Sequence, residues 1–126
     1  TGEYRQITNN PFSTPVKNPR MSGDGSYFTY VTYNNLNDKV YRINRVTGET
    51  IQISPTASQW PQYPDINYDG SVIVWGGRAN YDGTNADGSF EIWKWTQGAA
   101  NPVAAVTTQP AVEASANSGL DSAPSP

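Results

Sequence analysis

Ten residues from Ser22, SGDGSYFTYV, return as NYDGSVIVWG from Asn67, so that the Asp-Gly glycine at Gly25 recurs 45 residues on at Gly70. Pro19 and Pro64 precede the two copies at the same spacing. KVYRIN from Lys39 has its counterpart in EIWKWT from Glu91, 52 residues later, and TGETIQIS from Thr47 matches TGEYRQIT from Thr1, 46 residues earlier. Self-similarity at a fixed period marks a chain built from stacked units, none of which can bury its apolar face alone. One unit reads as a proline with a short strand, an x-Asp-Gly turn, an apolar strand, a loop, an aromatic strand, a Thr-Gly turn and a last strand. Glycine takes a positive φ at no steric cost, so each Asp-Gly pair predicts a tight hairpin turn.

Four strands within roughly 45–50 residues is the length of one propeller blade. The totals agree with a turn-rich β chain: 126 residues carry 11 Gly, 10 Pro, 8 Tyr and 4 Trp, and aromatic side chains suit half-buried pleated surfaces. The fold predicted is therefore all-β, with two four-stranded antiparallel sheets as β-propeller blades, part of a larger propeller or assembling into one. The alternative is a β-sandwich with an internal duplication. Recurrence of loops and strands in one register favours blades, because a sandwich does not require it.

The repeat resembles the bacterial TolB-type, WD-like propeller repeat. In the first unit the matching residues are Pro19, Met21, Ser22, Asp24, Gly25, Phe28 and Tyr30, then Val40, Tyr41, Ile43, Thr47, Gly48 and Glu49. The second matches at Pro64, Ile66, Asp69, Gly70, Ile73, Trp75, Ile92 and Trp93. It departs at Asn67, where serine is usual, and at Gln97-Gly98-Ala99-Ala100, where Thr-Gly is usual. The resemblance implies a rigid scaffold that serves many roles, and an extracellular or periplasmic bacterial setting.

The repeat divides the chain into the last strand of a preceding blade with a linker (1–17), a first blade (18–57), a second blade (58–108), and a linker with the opening of a next blade (109–126). SVIVWG, Ser71 to Gly76, is apolar at consecutive positions, as a strand covered on both faces should be. Two blades leave such faces open, which predicts company: further blades, a protein partner, or other copies in a homo-oligomer.

Several chemistries are excluded by residue type. With no Cys and no His, thiol nucleophiles, Ser/His/Asp triads and imidazole or thiolate metal sites cannot form within the chain. Lys and Arg number 8 against 11 Asp and Glu, a net charge of −3, which gives no electrostatic footprint for nucleic acid. No run approaches the ~18 apolar residues of a membrane span. Asp24 and Asp69 belong to turns, and no two carboxylates pair as acid and base. The chain reads as no enzyme; any catalytic residues lie outside it.

Two candidate sites remain. The second unit carries an insertion, GGRANYDGTNADGSFE, in which Asp82, Asn85 and Asp87 are oxygen ligands at spacing that calcium could use. Gly83 stands where the D-x-[DN]-x-[DN]-G loop needs its first Asp, so local turns are the competing explanation. Trp60 and Tyr81, one in a loop and one in the insertion, are candidate ligand platforms for a glycan or a protein. Trp75, Trp93 and Trp95 fall on strands and are expected in the core. The scattered basic residues, Arg42 among them, are expected on solvated strand faces. The functional expectation is a non-catalytic binding or structural module mediating protein–protein interaction or assembly. The alternatives are a propeller domain of a larger peptidase or polysaccharide-degrading enzyme and a carbohydrate-binding module.

Overall fold

A computed structural model of the chain describes residues 2–33, 38–55 and 60–99, and the backbone of residues 104–105. The loop expected at 34–37 and the expected linker 109–126 lie outside the described residues. The strands among the described residues are β1 (Val16–Met21), β2 (Tyr27–Thr32), β3 (Lys39–Asn44), β4 (Thr50–Gln52), β5 (Gln62–Ile66), β6 (Val72–Gly77), β7 (Glu91–Thr96) and β8 (Ala104–Ala105). They form two four-stranded antiparallel sheets, in the orders β1-β2-β3-β4 and β5-β6-β7-β8. Each sheet is a meander of consecutive strands, and among the described residues no strand crosses from one sheet to the other. This is the all-β, two-sheet architecture that the repeat predicts. Neither sheet closes on itself.

The repeat fixes the turns atom by atom. In the first, Asp24 Oδ1 accepts from Ser26 N (2.9 Å) and Ser26 Oγ (2.6 Å), while Ser22 Oγ accepts from Tyr27 N (3.0 Å). In the second, Asp69 Oδ1 accepts from Ser71 N (3.0 Å) and Ser71 Oγ (2.6 Å). Asn67 supplies Oδ1 to Val72 N (2.9 Å), doing from an amide what Ser22 does from a hydroxyl. The substitution at Asn67 thus keeps the bond to the backbone N–H five residues on, while its Nδ2 donates to Ser71 Oγ (3.1 Å). Gly25 (φ 77°) and Gly70 (φ 82°) hold the left-handed positions.

These hydrogen bonds hold both carboxyls below their ordinary value of 3.8, through Ser26 for Asp24 and through Ser71 for Asp69. A folded value below the unfolded one contributes stability that is present above about pH 4 and is lost as pH falls through the depressed values. Asp24→Asn/Asp69→Asn keeps the turn acceptors without the titration. The urea midpoint of this variant is expected to fall less than that of the parent when pH drops from about 6 to about 3.

The prolines show a second regularity. Strand β1 runs through Pro19 and β5 through Pro64, so the first strand of each unit begins before its proline rather than after it. Register slips between Lys17 and Arg20 against β2, and between Gln62 and Asp65 against β6. At each slip a residue 45 apart takes a positive φ, Asn18 at 56° and Tyr63 at 52°. Proline has no N–H to give a ladder and is tolerated in a strand at an edge or a bulge. Here it has both, and the bulge also blunts the exposed edge against pairing.

The core lies between the sheets. Val31, Val40 and Ile53 from the first pack against Ile73, Trp75, Trp93 and Trp95 from the second, with Ile51, Ile66 and Tyr81 at the margin. The three core tryptophans sit where the sequence puts them. The sheets are closest along their first strands, with β5 against β1 and β2. The two x-Asp-Gly turns interlock there: Asp24 N donates to Tyr68 O (2.9 Å). A Cβ at Gly23 would collide with the ring of Tyr68, and one at Gly70 with the ring of Tyr27.

Residues 2–10 form no strand here, and the blade whose fourth strand TGEYRQIT would supply is not among the described residues. A fourth strand is built on the hydrogen bonds of a third, and the described residues offer this segment no such edge; Ile7–Asn10 instead border the Tyr30–Tyr41 face. Arg42 is not on a solvated face. It is buried between the sheets, its guanidinium 4.0 Å from the ring centre of Tyr27 and 5.0 Å from that of Trp95. Nη1 donates to Gly70 O (2.7 Å) and to Gln97 Oε1 (2.8 Å).

Candidate interaction surface

Strand alternation gives each sheet two faces. On β2 and β3, Thr29 and Val31 lie opposite Arg42 and Val40 and face the second sheet; Phe28 and Tyr30 lie opposite Ile43 and Tyr41 and face away. The rings of Tyr30 and Tyr41 stack with centroids 5.6 Å apart. Beside them is a cavity of ≈ 430 Å³, bordered by Ile7–Asn10 and Ile43. Burial, then the neighbouring Tyr41, pushes the Tyr30 phenol up.

The second sheet repeats this division. Ile73 and Trp75 lie opposite Trp95 and Trp93 and face the first sheet; Val72, Val74, Gly76, Ile92 and Lys94 face away. Among the described residues this outward face is only partly buried, and it is apolar apart from Lys94. Ile92 is 45% exposed, and the ring of Phe90, 47% exposed, lies against Gly76 so closely that a Cβ there would collide with it. A shallow cavity of ≈ 200 Å³ runs along it, lined by Asp65, Ile66, Asn67, Val72 and Val74.

The sequence candidates fall elsewhere and are not drawn into one site. Trp60 is 53% exposed with φ 58°, and Arg78 lies over its ring at 5.7 Å. Tyr81 is packed edge-on against Trp93 (centroids 4.7 Å) and Trp75 (6.0 Å), so its ring serves the core margin rather than presenting a flat platform.

In the insertion, Asp82 Oδ1 accepts from Thr84 N (3.0 Å) and Oγ1 (2.6 Å), and Asp87 Oδ1 from Ser89 N (3.0 Å). Asn85 is buried as a hub: Nδ2 donates to the carbonyls of Ala79 (3.0 Å) and Ser89 (2.8 Å), while Oδ1 accepts from Ser89 Oγ (3.1 Å). The three candidate calcium ligands are thus each engaged in local turns. Among the described residues no group of three or more His, Cys, Asp or Glu is placed to hold a metal.

The first strands of the sheets frame a further cavity of ≈ 440 Å³, lined by Asn18, Pro19, Arg20, Tyr63, Pro64 and Asp65. Arg20 Nε and Asp65 Oδ1 are 3.5 Å apart at its rim, both exposed. The sequence signal for this feature was the 45-residue spacing of Asn18-Pro19 and Tyr63-Pro64. Arg42 had no such signal, because its hydrogen-bond acceptors and one of its two ring partners come from a different unit.

No protein-family model and no curated protein sequence matches the chain. Among solved structures the chain is similar to the crystal structure of TolB from Acinetobacter baumannii, with a TM-score of 0.58 and 18% identity. The match covers 79% of this chain and 23% of that one, so the chain spans under a quarter of the TolB polypeptide. At that identity the likeness is one of fold: the two stacked meander sheets have the arrangement of a segment of TolB.

Proposed function

We propose that the chain is a non-catalytic binding and structural module, two blades of a TolB-like β-propeller, acting through protein–protein contact in a bacterial periplasmic or extracellular setting. The supporting observation is the outward face of the second sheet. It is the repeat equivalent of the first sheet's buried face, yet Val72 and Val74 are only half-buried and Ile92 is 45% exposed. An exposed apolar face of that kind marks a protein contact, and rings of this architecture hold roughly 4–8 blades. Loops such as 78–90, fastened through Asn85, would then be carried on a rigid ring.

A photo-crosslinking residue at position 92, introduced in the cells that make the protein, tests this reading. The expected product is a defined protein adduct, neighbouring repeats of the same polypeptide included. No protein adduct from that position would overturn it. The exposed Trp60 beside Arg78 favours a second reading, a glycan platform; glycan binding abolished by Trp60→Ala would promote it, and no signal on any glycan would remove it.

A further inference from the structure

We infer that the Tyr30–Tyr41 face of the first sheet seats an earlier four-stranded unit of the same polypeptide, of which residues 1–8 are the last strand. That unit meets Arg45 with a side-chain acceptor and not with a cation. The inference rests on the propeller reading above and names the chemistry of one neighbour.

Repeat register aligns Ile7 and Thr8 with Ile53 and Ser54. Ile53 is buried with Ile73, Trp75, Trp93 and Trp95 in the contact between the two sheets. In the first unit the positions matching those four are Phe28, Tyr30, Tyr41 and Ile43, and Ile7 borders a cavity with the last three. Between Gly2 and Asn10 only Ile7 and Thr8 are drawn out of solvent. Ile7 therefore stands to the first sheet as Ile53 stands to the second, on a face that is already covered: Tyr30 is 4% exposed and Ile43 5%. Strand β4 reaches its place by pairing with β3. Residues 2–8 hold the matching place with no third strand beside them among the described residues, and ≈ 430 Å³ stays unfilled next to Tyr30 and Tyr41.

Arg45 and Gln97 share one repeat position. Each donates its backbone N–H to the serine after an Asp-Gly pair, Ser26 O (3.0 Å) and Ser71 O (2.9 Å). Between the sheets, Gly70 O accepts from Arg42 of the earlier unit, which also donates to Gln97 Oε1. In the first unit the matching carbonyl is taken from within, because Arg45 Nε donates to Gly25 O (2.6 Å). The guanidinium at this turn thus comes from the earlier unit in one case and from the later unit in the other. A second arginine, at the place of Arg42 in the earlier unit, would bring two like charges to one carbonyl. An amide, hydroxyl or carboxylate there accepts from the remaining N–H groups of Arg45.

Mass-spectrometric sequencing and hydrogen exchange of the polypeptide as the cell makes it test the inference. Arg42 stands five positions before Thr47, the repeat partner of Thr1. The residue five positions before Thr1 is therefore expected to carry a side-chain oxygen; any other residue there, or none, overturns the inference. Tyr4–Gln6 match Thr50–Gln52, which pair with β3. Their amides should exchange roughly a hundredfold or more slowly in the intact polypeptide than in this chain alone, where no ladder holds them. Equal exchange in the two overturns it as well. Arg45→Gln, a change at an exposed side chain, should forfeit about tenfold of that protection; unaltered or greater protection would remove Arg45 from the contact and sink the acceptor assignment.

Fast exchange at Tyr4–Gln6 while the crosslinker at position 92 still captures a neighbour removes this contact and leaves the propeller reading standing. Fast exchange with no capture removes both.

Discussion

Trp93→Ala is expected to cost about 3–5 kcal/mol of folding stability, the range for truncating a large buried aromatic side chain. Against the ~5–15 kcal/mol of an ordinary domain, that brings the chain to the edge of unfolding at room temperature. The reason is position. Trp93 is fully buried in the middle of β7, on the face turned to the first sheet, directly across from Trp75 and beneath the edge of Tyr81. Removing the indole opens a cavity between two sheets whose hydrogen-bond ladders prevent their collapsing to fill it. Trp93→Phe should cost much less, because a ring remains and the lost indole N–H has no acceptor among the described residues. Trp60→Ala is the control: its ring is half-exposed, with Arg78 lying over it, and a change within about 0.5 kcal/mol is expected. Urea denaturation of the three variants measures all of this. Equal losses at Trp93 and Trp60 would contradict the core described above.

What the sequence disclosed was whatever is local and repeated. The Asp24-Gly25 and Asp69-Gly70 turns are legible because each closes its hydrogen bonds within five residues, and the strands between them because burial imposes a period of two. The core tryptophans were legible for the same reason. Trp75 and Trp93 occupy one repeat position each on adjoining strands, and Trp95 shares the face of Trp93. The candidate site was much less legible. Tyr81 was singled out for its ring, but a ring in an insertion can fold back, and this one closes over Trp75 and Trp93. Asp82, Asn85 and Asp87 were singled out for their oxygens, and the nearest donors, Thr84 and Ser89, satisfy them in part. The outward face of β5–β8 was foreseen in outline from the apolar run Ser71 to Gly76. Its membership depended on the cross-strand register with β7, which brings Ile92 and Lys94 beside Gly76 and Val74.

Arg42 lay beyond sequence reasoning altogether, and the second large effect is expected there. Arg42→Ala should cost about 2–4 kcal/mol, because two charge-assisted hydrogen bonds and two ring contacts are lost together. Apart from Tyr27 on the neighbouring strand, the partners of Arg42 are distant in the chain: Gly70 O is 28 positions away, Gln97 is 55 away, and Trp95 is on β7. A fork of donors on a planar cation is needed to lie between two rings and still reach two acceptors, which an ammonium on a flexible stem cannot do. Arg42→Lys should therefore recover only part of the loss. The acceptors are a backbone carbonyl and a neutral amide rather than a carboxylate, and the site is buried, so the loss should be nearly the same at low and high salt. A double-mutant cycle with Gln97→Ala should return a coupling of about 0.5–1 kcal/mol. Hydrogen exchange locates the effect. Amides of the two x-Asp-Gly turns, where Arg42 joins one sheet to the other, should lose protection before those of β2 and β6. Uniform loss across both sheets would mean that Arg42 is ordinary core and not the fastener between them.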